Sequence, residues 1–398
     1  MTLLVTVFGT LLLTHHGFSS SVNPLDDPDV GLDTIQMIES HGYPCESHNI
    51  VTEDGYILTY HRIPHGIDNP VVGTKPVLLM HGASCSSADF VNMGPERSLG
   101  YILADKGYDV WIGNARGTAW SRNHTTLDVV TDAAEFFDFS WHEVGYYDLP
   151  AAIDYILDVN GDDSLHYVGH SYGTTNFLVL ATTRPEYNSK IKLASLLAPV
   201  SRMEHQKNQL LVIVAKYIDR IAALADKYHL YEIPLVDQIR EIGVSLCSQP
   251  AYFSVCEKIL FTIVGEDEPE FDLNKIAVLL SNTPSNTGLK QFYHSAQEVK
   301  NGGFSQYDYG AAKNLEIYGS ETPPSYDISK ISSPVALYYG KNDAVVNPED
   351  VAELLSELPN AVNDYLVSFE LFNHFDFLFA IDVVELLYTE LISVMDKY

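Results

Sequence analysis

The sequence predicts an α/β chain: a mostly parallel sheet covered by helices, interrupted once by a long, mainly helical insertion. Three observations point there. From residue 49 onward, short runs rich in Val, Ile, Leu and Tyr alternate with longer helical patterns, as expected of strands buried on both faces and joined by crossover helices. A Gly-x-Ser-x-Gly stretch, Gly169-His170-Ser171-Tyr172-Gly173, stands where one such run gives way to a helix. The alternation then stops between the runs at 191–197 and 335–339, a gap too long for a structureless loop in a compact domain.

Taken in order, residues 3–13 form an apolar run too short to span a bilayer, and Ser19, Ser20 and Ser21 follow it. Small residues after such a run suit a signal peptidase, so 1–21 reads as a secretory signal. The rest divides into a first part of the core at 22–200, the helical insertion at 201–326 and a second part of the core at 327–398. Residues 50–51 and 56–63 flank Asp54-Gly55, which reads as a hairpin turn. The runs at 76–80, 108–112, 165–168, 191–197 and 335–339 read as buried strands, with crossover helices at 97–106, 141–159 and 172–183. Within the insertion, residues 210–231 are amphipathic and rich in Leu, Val, Ile and Tyr, which suits a lid over an apolar cleft. Residues 366–371 read as strand-like. At 375–395, Phe377, Ile381, Val384, Tyr388 and Leu391 recur at helical spacing among Asp376, Asp382, Glu385 and Glu390. That pattern is an amphipathic surface helix, not a membrane anchor.

Composition limits the function. Of 398 residues, 46% are hydrophobic and 19% charged, enough for one large core with a dependent insertion and too little charge for disorder. Acidic side chains outnumber basic ones 53 to 23, giving a net charge of -30 with no Lys/Arg-rich stripe. A phosphate backbone would be repelled, which excludes nucleic acid as a partner. Cys45, Cys85, Cys247 and Cys256 allow three fully paired connectivities, and none has the CxxC spacing of a zinc or redox site, so no metal is expected. In an oxidising compartment a local Cys247 to Cys256 loop is the easiest bridge. Asn123-His124-Thr125 is a glycosylation acceptor if the chain is secreted.

The chemistry centres on Ser171. A sharp strand-to-helix turn forces the serine into a strained backbone conformation that flanking Gly169 and Gly173 accommodate, and the helix that follows points its positive end at the reaction centre. A serine hydroxyl needs a base within hydrogen-bond reach and a carboxylate behind that base. Asp343, just past the run at 335–339, and His374, between 366–371 and the last helical pattern, supply them in the chain order expected after such a turn. Asp376 is the rival acid, read here as the cap of the last helix. The backbone amides of Tyr172 and of Ala83, in His81-Gly82-Ala83, are the candidate oxyanion donors. His81 reads as shaping that loop rather than acting as base, and Cys85 has no elbow around it to make it a nucleophile.

These residues resemble the acid lipases, the family of gastric, lysosomal and many insect digestive lipases, from about residue 42 to 378. The resemblance rests on Gly42-Tyr43-Pro44, Thr52-Glu53-Asp54-Gly55-Tyr56-Ile57-Leu58, His81-Gly82, Asn114-Ala115-Arg116-Gly117 and Trp120-Ser121-Arg122. It continues through the GHSYGT elbow, Leu197-Ala198-Pro199-Val200, Tyr339-Gly340 with Asp343, and His374-Phe375-Asp376-Phe377. It implies an α/β-hydrolase fold with a helical cap and mobile lid, a Cys247–Cys256 cap disulfide, and no cofactor. The implied activity is hydrolysis of carboxylic esters of neutral lipids, triacylglycerol or sterol ester, at an oil–water or membrane interface, by a secreted or alternatively lysosomal protein. Two places depart from the mammalian pattern: Tyr172 stands where Gln is usual, and Ala83 where Leu is usual. Because the donors are backbone amides, these swaps bear on acyl preference rather than on catalysis. Two other functions fit the same scaffold: a lipid-binding or storage protein without catalysis, and a carboxylesterase of small substrates.

Overall fold

Among residues 23–398, those that the computed structural model describes, nine strands form one sheet. The signal segment expected at 1–21 lies outside the described residues. In chain order the strands are β1 (Glu46–Val51), β2 (Tyr56–Ile63), β3 (Lys75–Met80), β4 (Tyr108–Ile112), β5 (Asn123–His124), β6 (Leu165–His170), β7 (Ile191–Leu197), β8 (Val335–Tyr339) and β9 (Ala361–Leu366). Their spatial order is β1-β2-β4-β3-β6-β7-β8-β9, with β5 on β2. The β1–β2 hairpin and the β2–β4 and β2–β5 pairs are antiparallel. From β4 to β9 every pairing is parallel.

The central strands are apolar because both of their faces are covered. All six residues of β6 are buried, as are all five of β4. Helices α1 (Leu99–Asp105), α2 (Leu149–Asn160) and α3 (Tyr172–Thr183) make the crossovers. Helix α3 is buried almost all round, which explains why its sequence shows little amphipathic pattern. Beside the sheet, Arg116 is buried between the carboxylates of Asp54 and Asp148, 4.0 Å above the Tyr56 ring. This pairing links the Thr52–Leu58 and Asn114–Gly117 motifs, because a buried guanidinium needs its charge matched and its donors filled.

Between β7 and β8 lie α4 (Gln209–Lys227), α5 (Val236–Cys247), α6 (Phe253–Val264), α7 (Ile276–Asn282), α8 (Leu289–Asn301) and α9 (Ala311–Tyr318). Ala215 and Ile218 of α4 pack on Ala296 of α8, while Leu210, Ile213, Ile221 and Leu224 of α4 remain exposed. Cys247 and Cys256 join α5 to α6, with their Cα atoms 5.7 Å apart.

Two expectations about the C-terminal region need correction. The last strand is Ala361–Leu366, not 366–371. It is an edge strand, half exposed and carrying Asn363 and Asp364, so it lacks the apolar run that marks the buried strands. Residues 375–395 do not form one helix. Helix α10 (Asp376–Phe379) stops at Ala380, where the backbone bridges to Phe271 and the amide of Ile381 donates to the carbonyl of Glu270. Pairing with the insertion therefore replaces helical bonds there, and Ile381 is left exposed. No helix among the described residues is long and apolar enough to cross a membrane.

Candidate active site

Ser171 occupies the turn from β6 into α3 with φ 53° and ψ -119°, a conformation costly for a residue with a Cβ. Surrounding bonds hold it there. Its amide donates to Leu197 at 3.0 Å, and its carbonyl accepts from the Thr174 amide at 2.8 Å and the Thr174 hydroxyl at 2.6 Å. The flanking glycines are required by close approach. A Cβ on Gly173 would lie 2.3 Å from the Met80 carbonyl oxygen, and one on Gly169 would lie 2.6 Å from the Gly173 backbone.

The loops after β8 and β9 bring the other two side chains to the same carboxyl-terminal edge of the sheet, where open α/β sheets place their ligands. His374 Nε2 lies 2.9 Å from Ser171 Oγ, and His374 Nδ1 lies 2.8 Å from Asp343 Oδ2. The other oxygen of Asp343 accepts the amides of Val345 and Val346 at 2.7 and 2.8 Å. Those bonds fix the carboxylate so that it accepts Nδ1–H and leaves Nε2 free to take the serine proton.

His170 lies beneath the imidazole. Its Nε2 donates to the carbonyl oxygen of His374 at 3.0 Å, and burial, assisted by the neighbouring His374, lowers its pKa to about 3, so it stays neutral. His81 serves the oxyanion loop. Its Nδ1 donates to the Gly82 carbonyl at 2.7 Å, its Nε2 accepts the Ala115 amide at 3.1 Å, and burial lowers its pKa to about 4. Both ring nitrogens are engaged, which leaves none for a base. Gly82 itself packs close to Ser171, where a Cβ would come within 3.0 Å of the serine Cβ. Tyr172 opens α3, so its amide has no acceptor within the helix, and Ala83 follows Gly82 at the end of β3. The Tyr172 hydroxyl meets Ser295 of α8 in the insertion, and its ring packs at right angles to that of Trp141 in the core. Cys85 is a buried free thiol, and desolvation raises its pKa well above the ordinary value, which removes the thiolate a nucleophile would need.

One connection has no counterpart in the sequence reading. The segment after α6 crosses both catalytic loops: the carbonyl of Val264 accepts the amide of His374 at 3.1 Å and that of Ala344 at 3.2 Å. Gly265, with φ 110°, makes this crossing possible, since a Cβ there would sit 2.2 Å from the Asn342 carbonyl oxygen. Only the isolated glycine at the helix end could have hinted at it. Asp376 likewise departs from its expected role as a cap. The amides of Phe375 and Asp376 are held by the Asn373 side chain, and the Asp376 carboxylate reaches back to the Asn373 amide.

Ser171 and His374 are each 5% exposed, so the centre is covered. A 580 Å³ cleft bounded by His142, Tyr146 and Tyr326 contains none of the three residues. Asn123 is exposed on β5. Among the described residues, His205, Asp350 and Glu353 can bring ligand atoms within 4.8 Å of one another. The hydrogen bond from His205 to Asp350 raises the histidine pKa, which favours a protonated ring over a metal ligand.

Residues 34–94 match the family described as the partial alpha/beta-hydrolase lipase region, and residues 75–231 match the alpha/beta hydrolase fold. Lipase 1 of Drosophila melanogaster is 41% identical over 371 residues, covering 93% of this chain and 81% of that protein. Human gastric triacylglycerol lipase is 36% identical over 403 residues, covering 100% and 98%. Among solved structures, a candidate lipase from Acinetobacter baumannii AYE superposes with a TM-score of 0.52 at 17% identity, covering 91% of this chain and 95% of that one; at that identity it speaks for the fold alone. Relatives this similar over nearly the whole chain, together with the lipase-region match, show that the protein belongs to the acid lipase family and is a carboxylic ester hydrolase on the α/β-hydrolase fold.

Proposed function

We propose that Ser171 attacks the carbonyl carbon of a neutral-lipid ester, with His374 as general base and then general acid and Asp343 orienting the imidazole. The observation that carries this reading is the continuous contact from Ser171 Oγ through both ring nitrogens of His374 to Asp343, at 2.9 and 2.8 Å. Attack places negative charge on the carbonyl oxygen, and the amides of Ala83 and Tyr172 are the donors that receive it. Collapse expels the alcohol, which takes its proton from His374, and leaves an acyl-Ser171 ester. Water activated by the same imidazole then releases the fatty acid.

Triacylglycerol and sterol esters are the proposed substrates, presented at an oil–water or membrane interface. Support comes from the insertion, residues 201–326 in this reading, which acts as a cap. Ser171 is only 5% exposed, and the insertion exposes Ile213, Leu224, Leu235, Ile242, Tyr252 and Ile259. Apolar side chains so concentrated on one part of a protein suit contact with lipid. A lid movement in this cap would uncover Ser171. Secretion, with glycosylation at the exposed Asn123, is part of the same reading.

The test is Ser171→Ala assayed on emulsified long-chain triacylglycerol, on sterol oleate and on a short soluble ester. Loss of about 10³-fold or more in kcat on the long-chain substrates, with folding retained, is expected. Residual turnover near wild type would remove the proposal. A wild type preferring the short ester would redirect it to a small-substrate esterase.

A further inference from the structure

A pair of acids lies next to the triad with no part in acyl transfer. Asp376 opens α10 two residues beyond His374, and Asp267 lies on the crossing after α6. Both are withdrawn from solvent, at 4% and 0% exposure. Their carboxyl groups are in hydrogen-bond contact. Asp376 Oδ2 accepts the amide of Asn373, and Asp267 Oδ1 accepts that of Glu270 at 3.3 Å. The remaining oxygen of Asp267 meets no N–H or hydroxyl donor. A hydrogen bond between two carboxyl groups requires a proton on one of them.

The other charged groups facing the pair are also carboxylates. Glu270 lies on the crossing and binds the amide of Asp382, which brings a further acid close from beyond α10. His374, on the same loop, is engaged with Ser171 and Asp343. Among the described residues, no Lys, Arg or His forms an ion pair with Asp267, Glu270, Asp376 or Asp382. Two touching carboxylates away from water and without a cation cannot both ionise freely. Burial first, and then the contact with Asp267, push the Asp376 carboxyl far above the usual carboxylate range.

We propose that Asp376 and Asp267 share one proton and act as positioning residues for His374, joining the crossing to the histidine loop until alkaline pH removes that proton. The inference rests on His374 being the base. The geometry explains why the proton matters. The loop is closed on itself by Asn373 and Asp376, and it is tied to the crossing by Asn373 Nδ2 donating to the Gly265 carbonyl at 3.0 Å and by the His374 amide donating to Val264 at 3.1 Å. When the proton leaves to solvent, like charges press apart the two segments that these bonds hold together.

Asp376→Asn replaces the O–H donor with an amide N–H that donates to Asp267 at every pH. Its turnover at acid pH is expected within about tenfold of wild type, and its alkaline limb of kcat/KM moves up by at least about one pH unit. Asp267→Asn supplies a donor to ionised Asp376 and moves the limb the same way. If Asp376→Asn does not fold, Asp267→Asn carries the test, with the wild-type-minus-variant infrared difference at neutral pH as the second readout: one protonated-carboxyl band is expected in wild type and missing from the variant, the buried Glu298 carboxyl being common to both and cancelling. An unchanged alkaline limb in both variants, or an unchanged band, overturns the proposal. The pH dependence of thermal unfolding, compared with and without Asp376→Asn in a Ser171→Ala background, needs no turnover. It therefore separates failure of the carboxyl pair from failure of Ser171 as the nucleophile.

Discussion

The side chain immediately before the nucleophile holds the backbone of the base: His170 Nε2 donates to the carbonyl oxygen of His374 at 3.0 Å. The sequence-adjacent residues 170 and 171 thus grip residue 374 at two points, one at the main chain and one at the ring. Removing a donor from a buried carbonyl costs about 1–3 kcal/mol. His170→Phe is therefore expected to lower kcat roughly 5- to 150-fold through misplacement of His374, with KM little changed. Because burial holds the His170 pKa at about 3, the acid limb of the pH profile should stay where it is in His170→Gln. Steady-state kinetics across pH check both statements, and a shifted acid limb would show that His170 titrates during turnover.

Asp343 orients His374 through Nδ1 and is itself fixed by two backbone amides. In Asp343→Asn the amide group can donate to Nδ1, which moves the ring proton to Nε2 and leaves no lone pair for the serine proton. A fall of about 10⁴ in kcat is expected on that ground. Stability should change little, because the carboxamide oxygen of the substituted side chain can still accept from Val345 and Val346. Active-site titration combined with thermal unfolding distinguishes this outcome from misfolding.

How far the sequence carried depended on where each feature was stabilised. The strands at 108–112, 191–197 and 335–339 and the helix at 172–183 have the bounds their apolar runs predict, since burial on both faces writes itself into every residue. The edge strand Ala361–Leu366 is half exposed, so its sequence carries little of that signal. The break at Ala380 is imposed by Phe271, more than a hundred residues earlier, and no local pattern can report it. The site divides in the same way. Ser171 and Asp343 could be picked out because each stands just past a legible strand, and His374 because it follows them in the expected chain order, although the elements expected on either side of it have other bounds. Val264, Gly265 and Asp267 could not, because their importance comes only from lying across two loops remote in sequence.

Tyr172 is the departure from the mammalian pattern whose consequence the structure specifies. Its amide is a candidate oxyanion donor, while its hydroxyl reaches Ser295 and, at 3.4 Å, the carbonyl of Gln291 on α8. The ring therefore couples the oxyanion position to the insertion. In Tyr172→Phe the backbone donor is kept, and Ser295 retains its bond to the Gln291 carbonyl at 3.3 Å, so no buried group is stranded. Loss of one neutral hydrogen bond is worth about 1 kcal/mol. The expected result is a fall of under about tenfold in kcat/KM, larger for long-chain than for short-chain esters if the insertion contacts the acyl chain. An equal loss on both substrates would confine the hydroxyl's role to stability.

Glu298 gives the insertion a pH dependence distinct from that of the triad. It is 2% exposed on α8, and burial raises its pKa to about 8. One carboxyl oxygen accepts the Ser305 amide at 3.0 Å and the other has no partner. His294, 3.8 Å away, does not compensate the charge: its own pKa is lowered to about 3 by burial, and its Nε2 donates to the Ser305 carbonyl. A folded-state pKa above the unfolded value of 4.5 means that the protonated form is favoured by folding. Its contribution is complete below about pH 4.5 and is lost progressively as pH rises towards about 8, by an amount of the order of a few kcal/mol. Glu298→Gln keeps the acceptor for Ser305 and cannot ionise. Its stability relative to wild type should therefore grow with pH across that window, as read from urea unfolding midpoints at the acid and alkaline ends. His294 stacks on Trp141 with ring centroids 3.9 Å apart, and Trp141 meets Tyr172 edge-on at 5.5 Å, so a charge at Glu298 would disturb the packing that supports the oxyanion residue. A stability difference that does not vary with pH would show that Glu298 is ionised throughout or finds its compensation in solvent.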